Sequence, residues 1–174
     1  HHWLLALIGL LILLSLKASA DTTSPVQQEK DWQLQKSIDS TLGVSSCVAS
    51  TAVAKSDIPV KIELIFPEQD DKAAIVLIHA KNLQGQVQKA YLRPDAKTLY
   101  TAALLTSDAT TGEDVFLLSS LQLPEALQVI AAKNTLDVYF GAGSTAKLAR
   151  ISLSGSSVTL TRAANCRASK KLLN

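Results

Sequence analysis

The chain holds 174 residues, of which 47% are hydrophobic and 18% charged, with a formal net charge of +2. That composition excludes a disordered polyelectrolyte, and so small a net charge gives no global field to steer the protein to nucleic acid. Cys47 and Cys166 are the only cysteines, and His79 is the only histidine beyond His1 and His2, too few ligands for a structural zinc site, which needs four.

The stretch Trp3 to Leu16 is apolar and uncharged, and it runs through Lys17 into Ala18-Ser19-Ala20, a small-x-small cleavage pattern. As a helix, Trp3 to Leu16 would be about 21 Å long, short of the ~30 Å hydrocarbon core of a bilayer. Residues 1–20 therefore read as a signal peptide cut before Asp21. The competing reading is an uncleaved anchor with Lys17 snorkelling to the interface. Because Asp21 rather than a cysteine would follow the cut, no lipid anchor is expected. The product would be periplasmic or secreted, with no stable membrane span after cleavage. About 150 residues would remain, one ordinary domain.

Residues 21–30 (DTTSPVQQEK) are polar and contain Pro25, which predicts a flexible mature N-terminus. A single β-rich domain is expected over 31–166. Asp31 to Lys36 alternates apolar and polar, as a strand does; Ile38 to Gly43 reads as a turn, and Val44 to Val53 as a second strand. Val60 to Phe66 begins with strict alternation, the pattern of a half-buried strand. Ala73 to Ala80 (AAIVLIHA) is continuously apolar, which predicts a strand buried on both faces. Further strands are read at Gln86 to Arg93 and Thr98 to Leu105, with a loop at Ser107 to Gly112. From Glu113 to Asn134 apolar residues recur at three and four, and Pro124 with Glu125 marks a helix start, so a helix is predicted over 124–133. Leu136 to Phe140 is the next strand, and Gly141-Ala142-Gly143-Ser144 a turn. Ala149 to Leu153 and Val158 to Arg162 alternate around Gly155-Ser156 and read as a hairpin. Residues 167–174 read as a basic C-terminal tail. The predicted fold is mainly β, an antiparallel β-sandwich or partly open barrel with one helix late in the chain.

In an exported chain an even cysteine count points to a disulfide, here Cys47 to Cys166, tying the first part of the domain to its last strand. Charge is uneven along the chain. No residue after Asp137 is acidic, whereas Lys147, Arg150, Arg162, Arg167, Lys170 and Lys171 are basic. Arg162, Arg167, Lys170 and Lys171 are a possible anion-contact set. The alternative, which the lack of aromatic residues after Phe140 favours, is that these charges pair with acids elsewhere in the fold.

Catalytic signatures are sparse. His79 on an apolar strand reads as a structural residue, and no G-x-S-x-G elbow accompanies it. The Gly141–Ser144 turn lacks the lysine of a phosphate loop. Asp70-Asp71 and Glu113-Asp114 are adjacent acids, a pattern that usually faces solvent and only occasionally builds a calcium site. No catalytic residue, cofactor or metal is assigned.

Three places resemble the invasion-associated locus B family of exported bacterial proteins. One is Asp31-Trp32-x-Leu34 followed by Cys47. Another is Leu117-Leu118-Ser119-Ser120-Leu121. The third is Leu136 to Phe140, then Ala149 to Gly155. Together they span residues 31–160. The chain departs from the family in having no Pro-x-Gly segment and none of the extra cysteines of many members. The resemblance implies a periplasmic or surface β-domain concerned with host interaction or envelope stress, without a known active site. The expectation is a non-enzymatic binding or envelope accessory domain with an unknown protein or envelope component as partner and no nucleic acid. The alternatives are a hydrolase with a hidden acidic site and a structural subunit that pairs through an edge strand. An acid pair in a deep pocket would favour the hydrolase, a long uncharged edge the subunit, and a shallow apolar groove the binding domain.

Overall fold

The computed structural model describes residues 22–23, 26–39, 44–52, 56–68 and 74–169. Residues 1–20, Asp70-Asp71, Lys170 and Lys171 lie outside the described residues.

Eleven strands form one antiparallel sheet. They are β1 (Thr22–Thr23), β2 (Gln27–Glu29), β3 (Trp32–Asp39), β4 (Val44–Ala52), β5 (Val60–Pro67), β6 (Ile75–Lys81), β7 (Lys89–Asp95), β8 (Thr98–Asp108), β9 (Glu113–Leu118), β10 (Thr135–Phe140) and β11 (Lys147–Ser152). The order is β1-β3-β4-β5-β6-β9-β8-β7-β10-β11, with β2 also on β3. The β7–β8–β9 meander is thus inserted in reverse, so that β9 lies on β6 and β7 on β10.

Alternation sets the inner face. Val60, Ile62, Leu64 and Phe66 of β5 are buried, as are Val76, Ile78 and Ala80 of β6 and Leu136, Val138 and Phe140 of β10. Phe116 of β9 and Phe140 of β10 are three strands apart in the sheet, yet their rings lie 5.6 Å apart, centroid to centroid. Only a strongly coiled sheet brings them together. The sheet ends also meet: the Trp32 indole N–H donates to the Ser152 carbonyl (3.1 Å), Asp31 N–H to that of Ser154 (3.2 Å), and Ser56 bridges to Ala149. No continuous ladder joins these ends among the described residues, so the barrel stays partly open.

Two helices cover the inner face. The first, α1 (Leu123–Ala132), opens with Pro124 in its first turn and buries Ala126 and Ile130. It matches the predicted helix. The second, α2 (Ser156–Ser169), replaces the predicted hairpin strand at Val158 to Arg162. Its buried positions are Ser156, Thr159, Ala163 and Cys166, spaced three, four and three, which is helical. They are small or polar, so hydrophobic periodicity does not reveal them. The α2 helix packs on β3, β4, β5 and α1, and Cys166 is bonded to Cys47 of β4 with 6.2 Å between their Cα atoms. The bridge therefore pins a helix, not a last strand, to the sheet.

Other differences have equally local causes. Gln27–Glu29 pair with Leu34, Gln33 and Trp32, so strand pairing is present within residues 21–30. Glu113 to Leu118 is a strand, because Asp114, Phe116 and Leu118 alternate inward. Strand β6 is not buried on both faces; its inward residues are buried, while Ile75 is exposed and Leu77 half-buried.

Candidate functional site

Two features stand out on the outer face of the sheet, the face away from the helices. The first is apolar. Val48 of β4 pairs with Ile65 of β5, and Ile65 with Ile75 of β6. Leu77 of β6 pairs with Leu117 of β9, and Leu117 with Ala103 of β8. All are outward positions, so they form an apolar stripe across five strands. A register shift between Leu104 and Thr106 pushes Leu105 out to 54% exposure beside it. At the β6–β9–β8 end the stripe runs into a groove of about 480 Å³ that reaches round the end of the sheet, walled by the outward Ile75, Leu105 and Leu117, by the inward Val76 and Leu118, and by Leu123 of α1. Leu121, in the loop before α1, is 92% exposed.

The second feature is a pocket of about 410 Å³ on β7, β8 and β10. Tyr91 and Tyr139 stand directly opposite each other in the β7–β10 ladder, with Arg93 on the same face and Leu99 of β8 beside them. Gly141, Ala142 and Gly143 form its rim, which makes the glycine-containing turn a pocket wall.

Between the strands that carry the stripe lies His79. Its Nε2 is 2.5 Å from Glu63 Oε1 and its Nδ1 2.9 Å from Glu113 Oε1. Two carboxylate acceptors require a hydrogen on each ring nitrogen, so the arrangement favours imidazolium. The hydrogen bond with Glu63 raises the His79 pKa above its ordinary value, burial opposes it, and the bond with Glu113 adds to it. The same hydrogen bond holds the Glu63 carboxyl below the usual range, against burial, with Lys61 assisting. With both nitrogens engaged by carboxylates, His79 presents no lone pair to a nucleophile. Glu113 and its neighbour Asp114 face opposite sides of the sheet. Asp114 is buried and accepts from Ser107 Oγ (2.5 Å) and Gly85 N–H (3.0 Å), so these two acids form no shared cation site.

The fold has a solved counterpart. The chain is similar to the crystal structure of invasion-associated protein B from Bartonella henselae, with a TM-score of 0.59 and 15% identity, over 84% of this chain and 99% of that one. At that identity the likeness is one of fold, and it agrees with the resemblance carried by Trp32, Leu34 and Cys47. No protein-family model matches the chain, and neither does any curated protein.

Of the residues read as functional from sequence, Cys47 and Cys166 come together in the disulfide. Arg162 sits on the exposed side of α2, 3.5 Å from Glu29, and Arg167 follows on the same helix. Cys47, Cys166 and Glu68 cluster, but the sulfurs are bonded to each other, and Glu68 accepts from Ser45 and pairs with Lys36 at 2.8 Å. The stripe, Tyr91, Tyr139 and Arg93 escaped the sequence reading. A signal for the stripe was present: AAIVLIHA is apolar at every second position on both faces, and only one face has a core to meet.

Proposed function

We propose that the mature chain is an exported, non-enzymatic binding domain, an accessory of the bacterial envelope or of host contact, and that it takes its partner on the outer apolar stripe. The single observation that carries this reading is the groove around Ile75, Leu105 and Leu117, because outward apolar side chains on a sheet already packed on its other face serve no core. Three further points support it. The leader and the cleavage pattern favour export. The Cys47–Cys166 disulfide suits an oxidising compartment. The fold neighbour is named as invasion-associated. No helix among the described residues is long and apolar enough to cross a membrane.

The alternatives draw less support. The acid pair nearest to a hydrolase arrangement, Glu63 and Glu113, is held apart by His79 on an open face with a hollow of only about 190 Å³. Pairing through an edge strand is disfavoured by what lies along the edges. Strand β1 is two residues long, and β11 carries Lys147 and Arg150 and is bridged at Ala149 by Ser56.

Capture from an envelope extract tests the reading. Immobilised residues 21–174 should retain a partner that the Leu105→Asp/Leu117→Asp variant does not, with the variant's melting temperature close to the wild type's. Equal retention by both proteins would remove the stripe from the account.

A further inference from the structure

We propose that the Tyr91–Tyr139–Arg93 pocket is a binding site for an acidic sugar, a pyranose ring bearing one carboxylate. It is separate from the apolar groove and lies further along the same outer face.

The partner of Arg93 in the β7–β10 register is Asp137, but Asp137 is already taken. Arg150 reaches across from β11 and binds it through both Nε (2.8 Å) and Nη2 (3.2 Å). Arg162 is likewise paired, with Glu29. Arg93 makes no ion pair among the described residues, although it lines a pocket of about 410 Å³. A guanidinium is a planar fork of donors whose geometry matches a carboxylate bidentately. It is the only cation among the described residues that line the pocket, and Arg150, near Tyr139, is paired with Asp137, which suits a monoanion better than a doubly charged phosphate ester.

The remaining walls define the rest of the ligand. Directly opposed residues on neighbouring strands have Cβ atoms about 5 Å apart, so Tyr91 and Tyr139 set two half-buried phenols side by side. Each offers an apolar ring and a hydroxyl that can donate and accept. A sugar is amphipathic in the same way, with an apolar C–H face and a polar edge. A purely apolar ligand would leave the two hydroxyls and the guanidinium unmatched, and a bare carboxylate would leave the rings uncovered. On the far side Gly141 and Gly143 adopt positive φ (87° and 79°), and a Cβ at either would meet no atom within 4 Å, so the rim is low enough for a ring to enter from solvent.

The test is a titration of the folded protein (residues 21–174) followed by amide NMR shifts, with glucuronate, glucose, glucose 6-phosphate and acetate as probes. Glucuronate should saturate with a Kd on the order of 1 mM, with shifts centred on β7 and β10, and the other three should bind at least tenfold more weakly. Arg93→Gln should bring glucuronate down to the level of glucose, and Tyr91→Ser/Tyr139→Ser should abolish both. Leu105→Asp/Leu117→Asp should bind glucuronate as the wild type does, which keeps this site independent of the groove. Glucose binding as tightly as glucuronate, tighter binding of the phosphate ester, undiminished glucuronate binding by Arg93→Gln, or no saturable shift in a wild type with an intact spectrum would each overturn the proposal.

Discussion

His79 shows how one side chain acquires its properties from register. Lys61 is its direct partner on β5 and Val115 on β9, so Glu63 and Glu113 reach it diagonally, one from each side. Nothing local in the sequence announces this, because the three residues meet only through two strand pairings. A pH dependence follows. The His79 pKa is raised in the folded state, so its stabilisation is complete below about 6.5 and is lost as pH rises through the higher folded value. Glu63 is lowered, so its contribution is complete above about 4.5 and is lost as pH falls through the lower folded value. The pair is worth most between those limits. In thermal melts, His79→Gln should cost about 1 kcal/mol there and progressively less as rising pH takes the charge from the wild type. Parallel wild-type and variant profiles across pH 5 to 9 would contradict the assignment. A steric prediction belongs to the same scale. Gly155 turns the chain into α2 at φ 93°, and a Cβ there would overlap the Glu29 carbonyl oxygen. Gly155→Ala should therefore destabilise by about 1–3 kcal/mol, measurable by urea unfolding, and a wild-type midpoint would count against the close approach of β2.

At the scale of elements, what could be read from the sequence was what hydrophobic pattern alone decides. Strands β3, β5, β7 and β11 follow alternation, β4, β8 and β10 read as runs of β-branched, small or apolar residues, and α1 follows from Pro124, Glu125 and its apolar spacing. The α2 helix could not be read in this way. Val158-Thr159-Leu160-Thr161 alternates like a strand, while the face that α2 buries is built from serine, threonine, alanine and cysteine. What holds it is tertiary: Ser156 Oγ donates to the Ile130 carbonyl (2.7 Å), and Cys166 is bonded to Cys47. The disulfide closes a loop with a sequence separation of 119, for which the chain-entropy relation gives about 5 kcal/mol as an upper figure. Cys47→Ser/Cys166→Ser should lose about 2–5 kcal/mol in denaturant unfolding, with α2 the first amides to exchange with deuterium. Unchanged protection in α2 would mean that packing alone holds the helix.

At the scale of the whole molecule, one sheet curls until Phe116 meets Phe140, two helices close its inner face, and no helix among the described residues covers the outer face. The candidate surface was half legible. The unbroken apolarity of AAIVLIHA carried the signal, but it became interpretable only once β6 proved to be covered on one side. The Tyr91–Tyr139 pair was not legible at all, since β7 and β10 are joined by a non-sequential pairing. The central claim is that the outer stripe is where a partner sits. Hydroxyl-radical footprinting of the protein with and without its captured envelope partner tests this most directly. Ile75, Leu105 and Leu117 should lose reactivity together on binding while Val158, on α2, keeps its own. Unchanged reactivity at those three residues, with protection elsewhere, would contradict it.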